Sequence, residues 1–332
     1  MKKFIALIAC LILVVYAGIN KEVISLNVEG FGMNVSIEAG SNEAKEVQTV
    51  EELSDVLQSL VARLSDGSTS TASATAALAD EEGGASEKEE YTDAILTFKT
   101  ESHVSMTMEG QKFSMDMERT MKCLFTEDAA YYYCDAEMTM SGSGQSIYAD
   151  IVMELFLMEE ESVVRFTEME MLMNGQIAPL SALCNKWIRL TEALDTFTSV
   201  NDQNYAVMEV IGDCIEVNKE KLKGGANKVF TLEDAECKTL CLDLFEVSLG
   251  TSVGELTALG ESLKNYSFTA DLSDETKPTM TFAYAFDLEG STGNERLNIQ
   301  ISEINRGNKV KLPSGEQIYD LDELENGIGM EF

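Results

Sequence analysis

Residues able to do chemistry are sparse in this 332-residue chain. It has one histidine, His103, which excludes a multi-histidine metal site and leaves a single imidazole for any serine–histidine–aspartate machinery. His103 precedes Val104 on the polar parity of an alternating stretch, where a solvated sheet histidine is expected. Ser141-Gly142-Ser143-Gly144 is no nucleophile elbow, which grows from a buried parallel strand, and reads as a hairpin loop. Lys223-Gly224-Gly225-Ala226-Asn227-Lys228 lacks the spacing of a phosphate-binding loop and reads as a turn. Asp320-Leu321-Asp322-Glu323-Leu324-Glu325 puts Leu324 where an EF-hand loop needs its fifth-position ligand, so it and Glu159-Glu160-Glu161 read as solvated acidic turns. These residues assign no catalytic group, metal or cofactor, and the chain reads as a non-enzyme.

Seven cysteines occur without a Cys-x-x-Cys pair, which disfavours a zinc ribbon or a thioredoxin-type site. Folding the chain about Asp128–Ala129 sets Cys123 directly opposite Cys134 on one face, a candidate cross-strand disulfide. Two buried thiols are the alternative. Cys184, Cys214, Cys237 and Cys241 cannot be paired from sequence, and the i,i+4 spacing of Cys237 and Cys241 suits a buried helix stripe.

Methionine is the most informative residue type. Twelve of the 17 fall between Met106 and Met173. Ordinary cores prefer Leu, Ile and Val, whereas unbranched, polarizable methionine is over-used on apolar surfaces that adapt to variable partners. The candidate ligand-binding residues are therefore Met115, Met117, Met121, Met138, Met140 and Met153, with Phe113 and Tyr132. The competing reading is a plain core that happens to be rich in methionine.

The elements that must position these residues alternate with period two. Phe113, Met115, Met117, Met121, Cys123 and Phe125 share one parity, on which Arg119 is the one charged residue. Ala130 to Met140 and Ile147 to Leu157 repeat the pattern, which predicts an antiparallel meander with one buried and one wet face. Turns are expected at Glu109-Gly110, Glu127-Asp128, Ser141 to Gly144 and Glu159 to Glu161. Beyond Trp187, helices are expected within 203–222, from Thr231 and from Ser252. Strands return at 266–272, 279–288 and 297–304. Upstream, Thr49-Val50-Glu51-Glu52 is a capping box opening an amphipathic helix to Leu64. Residues 23–37 alternate around Gly30 and Gly32 as a short hairpin, and 65–90 collapse to Ser, Thr, Ala, Gly and acids, a flexible linker. The expected division is an address segment at 1–19, hairpin plus helix at 20–64, the linker at 65–90 and a main α+β domain at 91–332.

The address is extracytoplasmic. Lys2 and Lys3 precede an apolar run from Phe4 to Ile19, the pattern of an export signal. The run serves as a short membrane anchor, a signal cleaved after Ala17, or a segment lipidated at Cys10, and all three deliver the body outside the cytoplasm. A balance of 24 Lys+Arg against 58 Asp+Glu, net −34, excludes nucleic acid as a partner. The composition, 45% hydrophobic and 25% charged, is that of a globular protein.

The helix over 49–64, the Met-rich meander with Tyr131-Tyr132-Tyr133, the stretch Asn185-Lys186-Trp187-Ile188-Arg189-Leu190 and the close at Val310-Lys311-Leu312-Pro313 together resemble the LolA/LppX-like lipoprotein half-barrels of bacterial envelopes. The resemblance implies a strongly curved, mostly antiparallel sheet packed on several helices, with lipid or lipoprotein carried in the apolar concavity. The expected function is a non-enzymatic, membrane-tethered module binding a lipid or other apolar ligand on that face. The alternative is an envelope structural or interaction protein without a ligand cavity, whose acidic face contacts cationic or divalent-ion partners or a cell-envelope protein.

Overall fold

Alternation of apolar and polar side chains builds five long strands in succession, each paired antiparallel with the next. The structure, a computed structural model, describes residues 37–38, 40–66, 91, 93–108, 111–126, 129–142, 144–158, 162–177, 184–189, 207–224, 227–249, 260–288, 291–310 and 318–319. Outside the described residues lie the run from Phe4 to Ile19, the hairpin around Gly30, the linker beyond Asp66, both acidic turns and the helix opening at Ser252. Among the described residues, no helix is long and apolar enough to cross a membrane.

In chain order the elements are β1 (Ile37–Glu38), α1 (Val50–Asp66), β2 (Ala94–Met108), β3 (Gln111–Phe125), β4 (Ala129–Gly142), β5 (Gln145–Met158), β6 (Ser162–Met173), β7 (Gln176–Ile177), β8 (Trp187–Arg189), α2 (207–218), β9 (Lys223–Gly224), β10 (Val229–Thr231), α3 (Asp234–Leu249), β11 (Leu263–Asp271), β12 (Thr279–Leu288), β13 (Ser291–Ser302), β14 (Lys309–Val310) and β15 (Ile318–Tyr319). One large, open sheet runs in the order β15-β8-β6-β5-β4-β3-β2-β13-β12-β11-β10-β9, with β7 beside β6. Its pairs are antiparallel except β15 with β8. β1 and β14 form a separate two-stranded sheet.

The helices lie on one face. The α1 stripe of Val50, Leu53, Val56, Leu57, Leu60 and Val61 joins Ile211 and Ile215 of α2, Leu240 and Leu244 of α3 and the inward side chains of the sheet in a single core. The expected capping box is formed: Thr49 Oγ1 accepts from the Glu52 amide, and Glu52 Oε2 accepts from the Thr49 amide. α1 meets α2 where Gly212 lets Leu57 and Gln58 approach, and Gln58 Nε2 donates to Asp213 Oδ1 at 3.1 Å.

The opposite face departs from the expected wet surface. At one end of the meander Ile95, Leu124, Tyr131, Phe156, Val163 and Trp187 form a second small core, against which Val310 of β14 and Ile318 of β15 pack. There Arg165 donates through Nε (2.8 Å) and Nη2 to Glu154 Oε2, Tyr131 donates to Glu154 Oε1 at 2.8 Å, and the guanidinium stacks 4.6 Å from the Trp187 ring. Short C-terminal strands cover what period-two alternation assigned to solvent.

β6 carries a bulge. Val152 pairs Glu168 and Met153 pairs Phe166, so Thr167 is the extra residue, its hydroxyl donating to the Val152 carbonyl. The inward set therefore changes parity along β6, from Val164 and Phe166 to Met169 and Met171, all four buried in the main core.

Candidate functional site

Register brings the methionines into rows across the helix-covered face. Met115 pairs Met140, and Met117 pairs Met138. Two rows further along, Met121 pairs Cys134, Cys134 pairs Met153, and Met153 pairs Phe166. The bulge adds Met169 beside Ile151 and Met171 beside Ala149, two residues of the same wall that simple parity from β5 onward does not select. Every sequence-predicted methionine thus falls on one face.

Access differs along the wall. Met117, Met121, Met138 and Met153 are sealed, none more than 3% exposed, and Tyr132 is equally buried. Met115 and Met140, toward the turns after β2 and β4, are partly buried and pack on the edge of the core, as does Phe286. Val104 and Ile147 of the same row are also partly exposed. Phe113 shares the face, but its ring lies over Gly142, its direct cross-strand partner: a Cβ there would come within 2.2 Å of the ring. Phe286 covers Gly293 in the same way on the other side of the sheet's centre.

The cysteine pair is corrected by register. Cys123 pairs Tyr132 and Cys134 pairs Met121, so the two are diagonal neighbours, both buried and both free thiols. Diagonal positions stand about 7–8 Å apart, outside the usual Cα separation of a disulfide. The register of this hairpin centres one residue earlier than the fold about Asp128–Ala129, which moves every partner by two. Burial pushes the Cys134 thiol up to about 11 and raises Cys123 well above its ordinary value, although the Arg119 charge opposes both.

Arg119 is buried in this wall beside Thr100. Its charge attracts Glu295 on β13, which faces the same side and accepts from the Tyr284 hydroxyl of β12, its direct partner. Glu295 and Tyr284 escaped the reading of the sequence. The signal was present in Arg119 itself: a cation on an apolar parity calls for an acid on the same face.

The other face carries a different pattern. Glu101, Glu118, Glu137, Asp150 and Glu170 are successive direct partners across β2 to β6, with Arg296 of β13 next to Glu101. His103 stands on this face, its Nδ1 2.6 Å from Asp116 Oδ1, with about half of each side chain exposed. Gly142 and Gln145 close the hairpin at the Ser-Gly-Ser-Gly stretch, with Gly144 at a φ of 75°. Among the described residues, no three His, Cys, Asp or Glu side chains converge to hold a metal ion. The chain matches no protein-family model and no curated protein.

Proposed function

We propose that the protein is a non-enzymatic, extracytoplasmic binding module, tethered at the membrane through residues 4–19, whose sheet curves as a half-barrel around an apolar chain. The observation that carries this reading is the direct pairing of Met115 with Met140 and Met117 with Met138. The wall they form passes from sealed beneath the helices to partly exposed at Met115 and Met140. An alkyl chain entering at that end would lie along thioethers that re-pack at little cost, and its burial contributes about 0.8 kcal/mol per CH₂. α1, α2 and α3 act as the cover. The helix-then-meander order and the Trp187 strand support the likeness to the LolA/LppX-like half-barrels.

A second reading is favoured by the five-carboxylate row from Glu101 to Glu170. Here the methionine wall is core alone, and the acidic face contacts a cationic or divalent-ion partner of the envelope. Native mass spectrometry of the gently purified full chain, with a solvent extract of the same sample, separates the two. Excess mass that extracts as an apolar compound supports the carrier; a bare chain from several gentle preparations contradicts it.

A further inference from the structure

A cation interrupts the apolar wall. Arg119 of β3 stands between Met117 and Met121 on the methionine face and is 5% exposed. Its row across the sheet reads Leu297, Thr100, Arg119, Ala136, Ile151 and Met169, direct partners in turn from β13 to β6 and all buried. Thr100 is 3% exposed, and its hydroxyl has no hydrogen-bond partner among the described residues. A hydroxyl taken out of water without a partner is costly, and a buried charge is costlier. The row thus sets a polar pair, side by side, where apolar side chains would pack at lower cost.

The pair defines an acceptor. A guanidinium presents five N–H donors in a planar fork, and a carboxylate takes two of them at once. Glu295, one row along, feels the Arg119 charge, but it is partly exposed and accepts from the Tyr284 hydroxyl. One acidic neighbour so placed does not use up the donors of the fork. On the other side of Arg119, Ala136 offers only a methyl group, and Leu297 and Ile151 are apolar. One cation and one hydroxyl suit a small planar monoanion. A phosphate monoester, with its larger charge and three acceptor oxygens, would be left short of donors. Arg119 lies four residues inside Met115, about 13 Å along the strand, with Met117 between them.

We propose that the occupant of the wall is a fatty acid or similar single-chain carboxylate, its head held by Arg119 and the Thr100 hydroxyl. Its chain lies over Met117 and Met138 and runs toward the partly exposed end at Met115 and Met140. This choice of ligand rests on the binding function proposed above. The carboxylate accepts two N–H bonds from the guanidinium and one O–H bond from Thr100, which gives the buried hydroxyl its partner. An alcohol of the same length brings no charge to the fork and binds through burial of its chain alone.

Calorimetric titration of the full chain at neutral pH with dodecanoate and, separately, with dodecanol tests this. The alcohol reads the binding function alone, and the difference between the two reads the head-group site. In the wild type dodecanoate should bind roughly tenfold more tightly or better. Arg119→Met keeps a long apolar side chain, so dodecanoate should lose that margin while dodecanol binds as before. Thr100→Val keeps the shape without the hydroxyl and should weaken dodecanoate roughly threefold to tenfold, again sparing dodecanol. A wild type that binds both alike, or a margin that survives Arg119→Met, overturns the anion site and leaves the binding function standing. Dodecanoate affinity untouched by Thr100→Val overturns the part given to the hydroxyl, and if Arg119→Met does not fold, that variant decides. Failure of both compounds to bind removes the binding function, and the head-group site with it.

Discussion

Met117 and Met138 face each other directly across β3 and β4, both excluded from solvent, at a position where leucine would fill the same volume with fewer rotamers. Replacing both by leucine conserves volume and should change stability by less than about 1.5 kcal/mol in a urea titration. Under the proposed carrier function, tolerance of differently shaped apolar ligands should narrow, because leucine re-packs less readily. Met138→Ala removes volume from the sealed core and should cost about 2–5 kcal/mol.

Arg165 and Glu154 form a buried ion pair beneath the C-terminal strands, their side chains 12% and 5% exposed. Arg165→Ala leaves the Glu154 carboxylate and the Tyr131 hydroxyl without their cation, and should destabilise the fold by about 3–5 kcal/mol. Joint replacement, Arg165→Met with Glu154→Leu, should recover most of that loss. Equal losses in the single and double variants would show that the stack on Trp187, not the charge pairing, holds this corner.

Much of this organisation was legible in the residues. The capping box at Thr49 and Glu52 and the apolar parity through β3, β4 and β5 form as expected, because each depends on local periodicity or local hydrogen bonding. Cys123 and Cys134 were misplaced because register depends on where the hairpin turns, and a shift of the centre by one residue moves each cross-strand partner by two. The second core was hidden for a different reason. Val310 and Ile318 lie about 120–220 residues from the strands they cover, beyond anything periodicity reports. The bulge at Thr167 reversed the parity of β6 midway, which obscured Met169 and Met171.

Gly293 has no room for a side chain. A Cβ there would come within 2.6 Å of the Phe286 ring and 2.9 Å of the His103 carbonyl oxygen. Gly293→Ala should therefore cost about 1–3 kcal/mol by thermal or urea unfolding. Adding Phe286→Ala should not restore stability, since the backbone contact remains.

Glu137 stands between Glu118 and Asp150 in the carboxylate row. Like charges directly opposite one another destabilise a sheet, so Glu137→Lys should raise stability by a few tenths of a kcal/mol to about 1 kcal/mol. The gain should shrink in 1 M salt, where screening shortens the reach of each charge. A loss of stability on charge reversal would contradict net repulsion along the row.

The central claim is that the methionine wall receives an apolar chain, and labelled methionine methyl groups report on it most directly. Dodecanol titrated into the full chain carrying ¹³C-methyl methionine should shift the Met115 and Met140 signals first and those of Met117 and Met138 as the cover yields, saturably. Signals that stay fixed up to the solubility limit of the alcohol would contradict the claim and leave the wall as core.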